Sequence, residues 1–109
     1  MKIYIGKREK EGCCIYENGR KIELEPSYNI KQHSPTGFEW GYRGAGPHQL
    51  ALAILLDFTG NEMRALSYHN QFVEDFVVNF PQDGFVLTGI DLAVWINKKI
   101  FEDGLSQAE

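Results

Sequence analysis

The sequence predicts an α+β fold: a small antiparallel sheet, made of an N-terminal strand plus a β-hairpin, packed by about three helices. Three observations predict it. Short runs of alternating polarity flank Asn18-Gly19. Residues 48–58 are apolar nearly all round. Two later stretches, residues 62–80 and 89–102, repeat apolar side chains at three- and four-residue steps.

The elements follow in chain order. Lys2 to Ile5 alternates and predicts a strand, followed by a charged loop from Gly6 to Gly12. Cys13–Glu17 and Arg20–Glu25 flank Asn18-Gly19, the strongest short hairpin signal, because both central residues of a type I′ turn need positive φ. That turn sets the register. Glu17 faces Arg20, Tyr16 faces Lys21, Ile15 faces Ile22 and Cys13 faces Leu24. One face carries Cys13, Ile15, Ile22 and Leu24 and is expected to be core. Cys13 is then the buried thiol and Cys14 the more exposed one.

Pro26 is expected to end that strand, and residues 26–46 show no helical period. Within this gap Phe38, Trp40 and Tyr42 alternate with Glu39, Gly41 and Arg43, the pattern of a possible short strand. Pro47 fits the first position of a helix. That helix, residues 48–58, should be the hub of the core. Thr59-Gly60-Asn61 breaks it. A second helix is expected over residues 62–80, with Leu66, His69, Phe72, Val73, Phe76, Val77 and Phe80 on one stripe. Asp83-Gly84 is a turn, and Phe85–Leu87 is a short apolar strand. Its place in the sheet is open. Thr88 with Asp91 has the spacing of a capping box for a third helix, residues 89–102. Residues 1–102 form one domain, and residues 103–109 are expected to fray.

The chain has 109 residues, enough for one core. A net charge of −4 argues against a phosphate-binding surface, so nucleic acid is not the expected partner. Cys13 and Cys14 are the two cysteines, and as strand neighbours they point to opposite faces and do not bridge. The N-terminus has no apolar leader segment, and Leu50–Leu56 is too short to span a bilayer. A cytoplasmic protein with no membrane partner is expected.

Residues 33–56, HSPTGFEWGYRGAGPHQLALAILL, resemble a family of small bacterial and phage-borne domains known as a domain of unknown function. The family core reads S-P-T-G-F-E-W-G-Y-x-G-x-G-P-x-Q-L-A-L-A-I-L. A later P-x-D-G-[WF]-x-L-T segment corresponds to Pro81–Thr88. The resemblance covers roughly residues 4 to 100. It brings no activity with it. Its occurrence in phages and mobile elements implies a role at the interface with a host.

The candidate functional surface is the segment from His33 to Gln49. Trp40 and Tyr42 would be aromatic anchors, since Trp, Tyr and Arg dominate interface hot spots. Glu39 and Arg43 would set polar specificity, while Gly44, Gly46 and His48, with Gln49, would form a cup at the helix start. Against this stands a structural alternative. There the aromatics cover the core, the glycines allow tight turns and Glu39 pairs with Arg43 at the surface. Lys7, Arg8 and Lys10 interleave with acids and suggest a solvated turn. His33, His48 and His69 are not spaced i, i+3 or i, i+4, and no C-x-x-C occurs, so the sequence shows no metal motif and no cofactor site. His69 is expected to be a hydrogen-bonded core histidine, and His33 and His48 flank the Gly-rich segment where they could meet. Catalysis would need Glu39 or Cys14 beside a histidine. A winged-helix reader lacks the turn chemistry and the charge.

The sequence thus points to a non-enzymatic binding module. Its specific form is a phage or mobile-element protein that binds and inhibits a host defence factor. The alternative is a small enzyme or ligand-binding domain for an anionic small molecule held at the Gly-rich segment. The expected partner is accordingly a protein or a small anion.

Overall fold

The computed structural model describes residues 1–108. Four antiparallel strands form one sheet in the order β3-β2-β1-β4, where β1 is Ile3–Glu9, β2 Gly12–Glu17, β3 Arg20–Lys21 and β4 Gly84–Thr88. Four helices accompany it: α1 Glu25–Ile30, α2 Ala45–Thr59, α3 Glu62–Asp75 and α4 Gly89–Ala108. The fold is α+β, as expected.

The Asn18-Gly19 turn has φ of 50° and 87°, as a type I′ turn requires. Its register pairs Glu17 with Arg20 and Tyr16 with Lys21. β3 is shorter than expected because the chain turns at Leu24 into α1, although the Ile22 N–H still donates to the Ile15 carbonyl at 2.8 Å. Pro26 sits in the first turn of that helix and does not simply end a strand. A six-residue helix is too short to show a period.

β1 runs on to Glu9 and takes in most of the segment expected as a loop. Its pairing with β4 sets Tyr4 opposite Leu87 and Gly6 opposite Phe85, so Phe85–Leu87 does join the sheet. The inner sheet face therefore presents Tyr4, Ile15, Phe85 and Leu87, all buried. The Phe85 ring lies over Gly6, and Phe80 stacks on Phe85 with 4.0 Å between centroids.

The thiols are placed the other way round from the expectation. Cys14 is buried and Cys13 is only partly covered. Cys14 does lie on the outer face, among Lys7, Tyr16 and Lys21. Long side chains there cover it, with Lys7 Nζ 5.5 Å from the Tyr16 ring centroid.

α2 is the hub. Residues Leu50 through Leu55 are all buried. It begins at Ala45, so Pro47 sits inside its first turn. Gly60 caps its C-terminus in the left-handed region, and Asn61 Oδ1 then accepts the Arg64 N–H at 3.0 Å to start α3. α3 ends at Asp75, earlier than expected, and a short 3-10 turn over Val77–Asn79 follows. Leu66 is on its open side, not in the core. In front of α4, Thr88 Oγ1 accepts the Asp91 N–H at 3.2 Å, one half of the expected capping box. α4 continues past residue 102 to Ala108, and Glu109 of the expected tail lies outside the described residues. Among the described residues, no helix is long and apolar enough to cross a membrane.

Candidate functional site

The segment from His33 to Gln49 links α1 to α2. No strand forms in it, which corrects the expectation from its alternating aromatics. It is held by side chains and isolated backbone bonds. The Gly41 N–H donates to the Val77 carbonyl at 2.9 Å, and Trp40 Nε1 donates to the Pro81 carbonyl at 3.0 Å. Phe38 and Trp40 point inward, Trp40 with no exposed surface and in edge contact with Phe85 at 5.1 Å. Tyr42 points outward. The three aromatics therefore do not form one surface patch.

Glu39 faces the sheet, not Arg43. Arg8, on the inner face of β1, reaches it with both terminal nitrogens at 3.0 and 3.1 Å. The same guanidinium lies 4.7 Å from the Trp40 ring centroid. It also bonds the Gln82 carbonyl and lies 3.1 Å from Cys13 Sγ. The Arg8 hydrogen bond, opposed by partial burial, holds the Glu39 carboxyl below its ordinary range. Burial, aided by the Glu39 charge, pushes the Cys13 thiol up to about 11. Arg43 instead binds the Glu74 carboxylate through Nε at 2.7 and 2.9 Å. The expected Glu39–Arg43 pair is replaced by two pairs, the backbone bending over residues 41–44 between them.

The Arg8–Glu39 pair stands at the rim of a groove. Two adjoining depressions of about 180 and 360 Å³ share Gly12, Cys13, Thr36 and Phe38 in their walls. Lys21 and Glu11 border one end.

Three other candidate residues serve the backbone. A Cβ on Gly46 would stand 2.6 Å from the Glu39 Cβ, so the first turn of α2 passes directly over Glu39. Gly44 is the N-cap, and its carbonyl meets His48 Nδ1 at 2.8 Å. Gln49 is fully buried. Its Oε1 accepts the N–H groups of His33 and Ser34 at 2.6 and 3.2 Å. Its Nε2 donates to Ser27 Oγ and the Lys31 carbonyl at 2.9 and 3.1 Å. One amide thus ties α1 and the start of the segment to α2.

The histidines do meet. His33, His48 and His69 come from three parts of the chain, with ring centroids 5.0, 5.6 and 6.0 Å apart. His69 is buried and hydrogen-bonded, as expected, to the Leu66 carbonyl at 2.7 Å through Nδ1. Burial first, then neighbouring positive groups, holds His33 and His69 below the usual imidazole range.

A second polar cluster closes the opposite end of the sheet. Asp57 of α2 accepts from the Tyr4 hydroxyl at 2.8 Å and pairs with Arg20 and Lys2. Burial pushes its carboxyl up, but those donors outweigh it and hold it low. A cleft of about 350 Å³ beside it is lined by Ile22, Pro26, Ala53 and Leu56.

Residues 4–98 match a family of unknown function, DUF6166. The chain belongs to this family. The match begins in β1 and ends in α4, so the domain common to the family contains the whole sheet and the segment over it. No curated protein and no solved structure matches the chain.

Within this family domain, sequence reasoning missed two features. Arg8 was assigned to a solvated loop because β1 was ended at Ile5. The alternation Tyr4, Gly6, Arg8 carries the signal that it lies on the inner face. His33 and His48 meet as the sequence allows, but His69 has no local spacing to either, and the packing of α3 on α2 is what adds it.

Proposed function

We propose that this family domain is a non-catalytic binding module that engages a protein partner through the groove between the hairpin and residues 36–39. The observation that carries the proposal is the Arg8–Glu39 pair, fixed at the rim of a groove floored by Phe38 and Cys13. About a third of each side chain remains open, at 34% and 36%. A partly hydrated charge pair can exchange one of its bonds for a partner's donor or acceptor at little cost. The apolar floor supplies the area that such a contact buries.

The ionisation of the groove favours binding over catalysis. The Cys13 thiol, pushed up to about 11, is the reverse of what a thiolate nucleophile needs, and the Glu39 carboxylate is already taken by Arg8. The proposed biological setting is a phage or mobile element whose small acidic product inhibits a host defence factor. The net charge of −4 and the resemblance of the central segment support that setting.

A photo-crosslinking residue at exposed Thr36 tests the proposal, with the same residue at exposed Glu62 as control. The expected result is one partner crosslinked from position 36 only, lost in Glu39→Arg and inhibited when the purified module is added to it. Equal labelling from both positions, or crosslinking that survives Glu39→Arg, contradicts the groove.

A further inference from the structure

We infer that His33, His48 and His69 form a binding site for a zinc-class divalent cation, each offering Nε2. The argument starts from distances. Zinc–nitrogen bonds of about 2.0–2.1 Å in a tetrahedron place two ligand nitrogens about 3.4 Å apart and two ring centroids about 5.2 Å apart. His33 Nε2 and His69 Nε2 are 3.0 Å apart. The three centroid separations are 5.0, 5.6 and 6.0 Å. The ring nitrogens of His48 do not lie within 4.8 Å of both partners' nitrogens, so its side chain must swing inward to complete the set.

The opposite ring nitrogens are already committed in the manner of metal-binding histidines. His48 Nδ1 donates to the Gly44 carbonyl at 2.8 Å, and His69 Nδ1 donates to the Leu66 carbonyl at 2.7 Å. Those bonds assign the tautomers and leave both Nε2 atoms with lone pairs. The His33 Nε2–H then donates to His69. When an ion binds, that proton moves to His33 Nδ1, and three neutral imidazoles remain as ligands with no net proton released.

The site is also held from outside. Buried Gln49 fixes the His33 backbone N–H at 2.6 Å, and α2 and α3 carry the other two rings. His33 and His48 are only partly covered, which leaves a path from solvent. Three ligands leave the fourth position to water or to a donor from a partner. The Lys31 charge acts on His33 and His69 and disfavours a cation there.

Among the described residues a rival group exists. Glu9, Glu11 and Cys14 offer ligand atoms within 4.8 Å of one another. Their carboxylates are exposed, Glu9 is bonded to Tyr16, and the Cys14 thiol is held protonated by burial. Imidazole suits a borderline-soft ion better than exposed carboxylates, and two of these rings already bring Nε2 atoms to 3.0 Å.

The test uses the untagged full chain with ZnCl2, CoCl2 and MgCl2 as separate probes. Calorimetry should show one Zn2+ per chain with Kd below about 10 μM and no comparable Mg2+ binding. Zn2+ should raise the melting temperature. His33→Gln and His48→Gln should each weaken binding at least about tenfold, while Cys14→Ser leaves it unchanged. The Co2+ complex should show d–d bands without thiolate charge transfer. X-ray absorption on the wild-type zinc complex, which needs no variant to fold, should show nitrogen and oxygen neighbours and no sulfur. Absence of saturable Zn2+ binding overturns the inference. So does a sulfur neighbour, or binding lost in Cys14→Ser and kept in His48→Gln.

Discussion

Gln49 and Glu39 lie in one segment, ten residues apart, and the fold treats them in opposite ways. Gln49 is sealed in the core, with its amide making four hydrogen bonds. Glu39 stands at a rim, its charge shared with Arg8 and a third of its side chain open. The difference follows from solvent. Inside, an unpaired polar atom costs its full desolvation, so only a completely satisfied amide persists there. At the rim, water can replace any lost bond, so the charge is free to change partners. Trp40 and Tyr42 repeat the contrast, one sealed and one open. A single stretch thus carries both sealed architecture and an open, charged rim.

The largest effect should come from Trp40→Ala. It empties a fully buried indole site and should cost about 3–5 kcal/mol, a fall of more than about 10 °C in melting temperature. A small loss would mean that the ring is not part of the core. Gln49→Ala comes next. It strands the N–H groups of His33 and Ser34 and should cost about 2–3 kcal/mol by denaturant unfolding. If it costs no more than Glu39→Gln, the contrast between sealed and open polar groups fails.

The third effect is pH. His33 and His69 have folded-state affinities for protons below the unfolded value of about 6.5. Depressed values mean that the unfolded chain binds more protons as pH falls. Their stabilising contribution is therefore complete above about pH 6.5 and is lost as pH drops through the lowered folded values. His48 and Lys31 face the same cluster and add to the repulsion. Melting temperature at constant salt should be lower at pH 5 than at pH 7, with a smaller difference in His33→Gln. An unchanged difference in that variant would remove the cluster from the account. The smallest effect is Glu39→Gln, expected below about 1 kcal/mol because the pair is a third exposed. Partner binding should nevertheless weaken in that variant.

Local signals made much of this fold legible. Asn18-Gly19 set the hairpin register without help from distant residues, because a type I′ turn admits few sequences. The apolar run in α2 marked the hub, and Thr88 with Asp91 marked the start of α4. What escaped was set by tertiary contact. α1 was too short to show a period. Cys14 is buried by long side chains on a face that alternation marks as wet. The segment around Trp40 has a strand's alternation, yet its backbone bonds go to Val77 and its ring nitrogen to Pro81. Of the candidate site residues, Glu39 was legible, but its partner Arg8 lay 31 positions away on a strand that was ended too early.

The division between sealed and open residues rests most directly on Trp40. Acrylamide and iodide quenching of its fluorescence in a Trp95→Phe background measures that exposure. The account predicts weak quenching, close to that of a fully buried indole. Strong quenching by iodide would place the ring in solvent, and the segment would then be a surface throughout.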